Sequence, residues 1–145
     1  MVLGWTGYNP RLGVPLSYHR DEASRRIRLT AVPPFTSKHA VHALYRQAAE
    51  TTWQYATLVD LRRAVLDAEG IAELLAHMRE LVARHGVRGP IALVAWESAS
   101  AELLRAYADD VRLLAYGAEV FQNTSDAERW LERFSSAPPP GPKAS

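Results

Sequence analysis

Asp60, Arg62 and Arg63 stand together in ATLVDLRRAV (56–65), where an apolar run ends on a carboxylate and turns at once into two guanidinium groups. Three chemistries are open to such a set. The carboxylate can order its own loop by accepting backbone N–H groups or pairing with a nearby arginine. The three residues can line a recognition surface, because arginine meets carboxylate or phosphate with paired donors. Acid–base catalysis is the third and the least supported by the residues. Trp96 and Glu97 directly follow the next apolar run, GPIALVA. If both runs are neighbouring parallel strands, their carboxyl ends share one rim, where ligands of α/β sheets are met. Trp96 then offers a partner a large apolar face and one N–H donor. Its alternative is to roof the core beneath the following helix, and Arg62 with Arg63 equally fits a solvated pair.

Other constellations are weaker. His39 and His42 lie three apart on a helical segment and can share a face, but no third metal ligand is evident, and His19, His77 and His85 are scattered. Asp109 and Asp110 are adjacent on a helix and point about 100° apart, so they cannot act as a facing carboxylate pair. WESAS (96–100) is not a Gly-x-Ser-x-Gly elbow, and no glycine-rich phosphate loop follows a strand. Arg25, Arg26 and Arg28 form the densest basic cluster, but Asp21 and Glu22 adjoin it without interleaved aromatics, which argues against nucleic acid and for a wet strand face. The expectation is no catalytic residue, no metal and no cofactor.

The totals fit these choices. A chain of 145 residues with net charge +1, 48% hydrophobic and 23% charged, suits one soluble globular domain without a global field for anionic partners. The absence of cysteine excludes disulfides and thiolate sites and fits the cytoplasm. No stretch reaches the roughly 18 apolar residues of a membrane span, and no export signal is legible at the start. Residues 1–15, with Trp5 and Tyr8, suit a loose arm, and the proline-rich 135–145 a disordered tail, leaving 16–134 as the domain.

Within it, LSYHR (16–20) and RRIRLTA (25–31) suggest a hairpin whose second strand alternates Ile27, Leu29 and Ala31 with Arg26, Arg28 and Thr30. Ser37 is a fair N-cap for a helix to about Thr51. YATLVDL (55–61) and GPIALVAW (89–96) suit strands covered on both faces. Asp67 caps a helix carrying Ile71, Leu74, Leu75, Met78, Leu81 and Val82, with Gly86 at its end. Ser98 caps another, with Leu104, Tyr107, Val111 and Leu114 inward and an end at Gly117. AEVFQ is a short strand, and Ser125 with Glu128 suggests a capping box for a last helix burying Ala127, Trp130, Leu131 and Phe134. The order β-β-α-β-α-β-α-β-α implies an α/β fold: a mostly parallel sheet of about five strands paired in sequence order, an antiparallel N-terminal edge strand, and about four flanking helices.

The blocks WQYATLVDLR (53–62), RGPIALVAW (88–96) and VFQNTSDAERWL (120–131), together with that order, resemble the bacterial SpoIIAA-like family of the STAS superfamily over roughly 16–134. The resemblance implies a four-turn β-α superhelix, commonly a non-enzymatic module for protein contacts, with a suspected capacity for apolar ligands or membrane contact. It departs at one point. Where anti-sigma-factor antagonists carry a phosphorylatable serine after the aspartate matching Asp60, this chain has Leu61, Arg62, Arg63 and Ala64. The expectation is therefore a cytoplasmic, non-catalytic module, compatible with a homodimer, that binds a protein partner through Asp60, Arg62, Arg63, Trp96 and Glu97. The alternative is a carrier or sensor of an apolar small molecule or lipid, with transient membrane contact, held by Leu74, Met78, Leu104 and Tyr107.

Overall fold

The computed structural model describes residues 14–135, so most of the expected N-terminal arm, Trp5 and Tyr8 included, and nearly all of the proline-rich tail lie outside the described residues. The strands are β1 (Leu16–Asp21), β2 (Arg26–Ala31), β3 (Ala56–Asp60), β4 (Ile91–Val94) and β5 (Ala118–Phe121). The helices are α1 (Ser37–Ala49), α2 (Ala68–His85), α3 (Ala99–Val111) and α4 (Thr124–Ser135). The five strands form one sheet in the order β1-β2-β3-β4-β5, with β1 antiparallel to β2 and the rest parallel. This is the α/β architecture that the alternation of patterns implies.

Pairing in sequence order has a geometric consequence. Crossovers of one hand between successive neighbours put α1, α2 and α3 on the same face of the sheet. Ala31, Leu93 and Ile91 meet Leu44, Met78, Leu81, Leu104 and Tyr107 there in the main core. The other face is left to α4, whose Ala127 and Leu131, both fully buried, pack on Leu58, Ala92 and Val94. β4 is therefore buried at every position, as its continuous apolar run requires.

The element ends differ from the sequence expectation where backbone groups find other partners. α3 stops at Val111, not Gly117. Arg88 N–H donates to the Leu114 carbonyl and the Arg88 carbonyl accepts from Tyr116 N–H, so residues 114–116 pair beside β4 and cannot stay helical. Thr36, not Ser37, is the N-cap of α1, with its N–H donated to His39 Nδ1 at 2.9 Å. At α4, Asn123 Oδ1 accepts Asp126 N–H at 2.8 Å, so Ser125 and Glu128 form no capping box. Glu128 reaches across the sheet instead, to Arg26 and, at 3.1 Å, to Arg28. The arginine face of β2 is thus half-covered by α4 rather than simply wet. Asp67 does cap α2, accepting Gly70 N–H at 2.7 Å, and Gly86 ends it at φ 91°, a left-handed conformation that favours glycine.

Gly89 is required for a different reason. A Cβ there would sit 2.4 Å from the Gln54 carbonyl oxygen and 2.5 Å from that of Tyr55, where backbone from the turn before β3 crosses the entry to β4. Gly89→Ala is expected to destabilise the fold by about 1–3 kcal/mol or more, since backbone and not a flexible side chain must move. A urea unfolding midpoint equal to that of the native chain would contradict the close approach.

Candidate functional site

The rim expected from the sequence exists. Asp60 pairs with Val94 in the parallel register, Leu61 N–H donates to the Val94 carbonyl, and the segments after β3 and β4 leave the same end of the sheet. Its charges, however, are largely spent on one another. Asp60 accepts the Arg62 backbone N–H at 3.2 Å, Arg62 Nε at 2.9 Å and Arg62 Nη2 at 2.7 Å. Burial alone would raise the Asp60 pKa, but the Arg62 hydrogen bonds and the nearby charge of Arg28 outweigh it and hold the carboxyl below its ordinary range. Asp60 and Arg62 therefore order the turn that leads towards α2. Arg63 is exposed. Glu97 accepts from Arg105 Nη2 at 2.5 Å and Gln122 Nε2 at 3.0 Å, which lowers its pKa. Trp96 does not roof the core: it is 58% exposed.

A second region lies behind that rim, between the sheet and α1–α3. It is a cavity of about 200 Å³. Leu74, Met78, Leu104 and Tyr107, the four residues named for an apolar pocket, all line it. Leu29, Val59 and Leu93 close it from the sheet. Phe35, Thr36, Val65 and Leu66 stand at its mouth, where Val65 is 89% exposed. The opposite end, at the entry to β4, is lined by Arg88, only 2% exposed.

Arg88 had no assigned role in the sequence, where it reads as the polar start of an apolar strand. Its Nη2 donates to Gln47 Oε1 at 2.7 Å, and its guanidinium lies 4.7 Å from the centre of the Trp53 ring. Gln47 in turn donates to Thr57 Oγ1 at 3.1 Å, and Trp53 Nε1 donates to the Gly86 carbonyl at 2.9 Å. Nε and Nη1 of Arg88 meet no acceptor among the described residues, and no carboxylate pairs with it. Burial pushes its pKa down to about 10, so it stays a cation at neutral pH. Tyr107 beside it is raised to about 12 by burial, against the opposing pull of the Arg88 charge, and stays a neutral phenol. One signal could have found this network. Gln47 falls three residues after Leu44 on the buried stripe of α1, and a polar side chain there needs a buried partner.

His39 caps α1, and no cluster of three or more His, Asp or Glu able to hold a metal lies among the described residues. Asp109 pairs with Arg112 on the surface of α3. No helix among the described residues is long and apolar enough to cross a membrane. No family model, curated protein or solved structure matches the chain.

A buried cation without a counter-ion costs several kcal/mol. Arg88→Met removes that cost and orphans Gln47 Oε1, a loss of about 1–3 kcal/mol. The expected net gain in stability at pH 7 is on the order of 1–2 kcal/mol. Because the folded-state pKa lies below the unfolded value, the native protein gains stability as pH rises from about 10, and the advantage of the variant shrinks over that window. Denaturant titrations at pH 7 and pH 10.5 read both effects; a variant less stable at pH 7 would show that Arg88 is structurally compensated.

Proposed function

We propose that the protein is a non-catalytic binding module, a carrier or sensor, for an apolar small molecule held between its helix layer and its sheet. The observation that carries this is the partly open, largely apolar cavity, reached from the rim and ending on a polar group out of water. Specific small-molecule sites have this make-up: mostly hydrophobic walls with few placed polar groups. Membership of the SpoIIAA-like family is part of the same proposal, supported by the sequence blocks and by the sequentially ordered sheet with its antiparallel edge. A cytoplasmic location accords with the cysteine-free composition.

The cavity is expected to take up octanoate or 1-octanol saturably. Binding raises thermal stability with ligand concentration, as for any ligand of the native state alone. Leu74→Trp, at a half-buried wall position, fills the space and abolishes the effect while the fold persists. If neither probe binds saturably, as read by calorimetry, the cavity is not a ligand site.

A second reading, contact with a protein partner at the rim, is favoured by the exposure of Trp96 beside ordered turns. Aromatic side chains of this kind act as anchors when a partner desolvates them. Trp96→Ala combined with Arg63→Glu touches no internal ion pair and should leave stability within about 0.5 kcal/mol. It is expected to abolish co-purification of any bound protein, and unchanged co-purification counts against the rim.

A further inference from the structure

Resting on the cavity reading, we infer that the ligand is a singly charged amphiphile, a medium-chain monocarboxylate whose carboxylate sits against Arg88 while its tail points to the mouth at Val65.

The head group follows from what Arg88 lacks. Its Nη2 is held by Gln47, whereas among the described residues Nε and Nη1 have no acceptor and its charge has no anion within ion-pair distance. Tyr107 lines the same cavity, and burial keeps its phenol neutral, with an O–H to donate. The charged group lining this end is a donor. A neutral head group would leave the cation uncompensated; a phosphate monoester, at about −1.5 to −2, would bring surplus charge into a dry site. A carboxylate balances one guanidinium and accepts from several N–H and O–H groups at once.

The position of Arg88 is set before any ligand arrives. Its backbone is tied on both sides to residues 114–116, its side chain lies along Trp53, and Gly89 locks the next residue against the turn before β3. Such preorganisation lowers the cost of binding. Size limits the tail: an engineered apolar cavity of roughly 150 Å³ accepts benzene, so one of about 200 Å³ suits a short or medium chain rather than a long one.

The test compares octanoate with 1-octanol, equal in chain and different in head, by calorimetry on the native chain, Arg88→Met and Gln47→Glu. The native protein is expected to prefer octanoate by roughly tenfold or more, the scale of a charge-assisted hydrogen bond. Arg88→Met loses the preference and keeps 1-octanol. Gln47→Glu, nearly isosteric, supplies Arg88 with an internal anion and loses the preference without removing the cation, which covers the case that Arg88→Met fails to fold. Equal affinity of the native chain for both probes overturns the head-group inference and leaves the cavity reading intact. Binding of neither overturns both. A preference for octanoate that survives in Arg88→Met and Gln47→Glu places the carboxylate elsewhere and also overturns the inference.

Discussion

One guanidinium held away from water constrains the rest of this molecule. Arg88 sits where three structural layers converge: the entry to β4, the turn before β3 and the segment after α3. Each supplies something the charge needs. α1 offers the Gln47 carbonyl oxygen, the turn before β3 offers the Trp53 ring, and the 114–116 segment fixes the backbone. These partners reduce the desolvation cost without cancelling it, because a single neutral acceptor and a cation–π contact fall short of an ion pair. Elsewhere the same chain pairs its arginines readily, Arg62 with Asp60, Arg105 with Glu97 and Arg112 with Glu119. Arg88, without an ion-pair partner among the described residues, is in the driest place.

The topology explains why the space exists. A sheet whose strands run in sequence order has no switch point, so it lacks the crevice in which doubly wound folds bind their ligands. Instead three helices lie side by side on one face of five strands, and only that layer can open a gap over the middle of the sheet. The gap is bounded by Leu74 and Met78 from α2 and by Leu104 and Tyr107 from α3. The other face is covered by α4, whose Ala127 and Leu131 pack directly on Leu58, Ala92 and Val94.

Much of this was legible beforehand, for physical reasons. The alternation of Ile27, Leu29 and Ala31 and the stripe through α2 report burial directly, since each element must hide one face. The pocket walls were legible because large apolar residues on the inward faces of α2 and α3 have nowhere else to point. The ends of elements were not. Asn123 outcompeted Ser125 as a cap because the backbone of β5 runs on to residue 121, and α3 ended early because Arg88 claimed the backbone of 114–116. Neither competition is visible in local sequence. Arg88 itself was hidden by the same limit: a charge at a strand start is ordinarily solvated, and only the long-range approach of residues 53 and 114–116 buries it.

The rim and the cavity, read from the sequence as rival sites, share the loop between β3 and α2. Asp60 and Arg62 pin the first turn of the loop to the end of β3, and Asp67 pins the last to α2, so the residues between them have both ends fixed. Ala64 N–H bonds back to the Leu61 carbonyl and Leu66 N–H reaches Ser100 Oγ, which leaves Val65 projecting into solvent at the mouth. Because its apex buries little apolar surface, local opening of this loop costs less than opening of the core. The strand-end charges then need no partner of their own to matter. Asp60 and Arg62 neutralise each other at the surface beside the loop, whereas Arg88, at the far end of the cavity, is a buried cation without an ion-pair partner among the described residues.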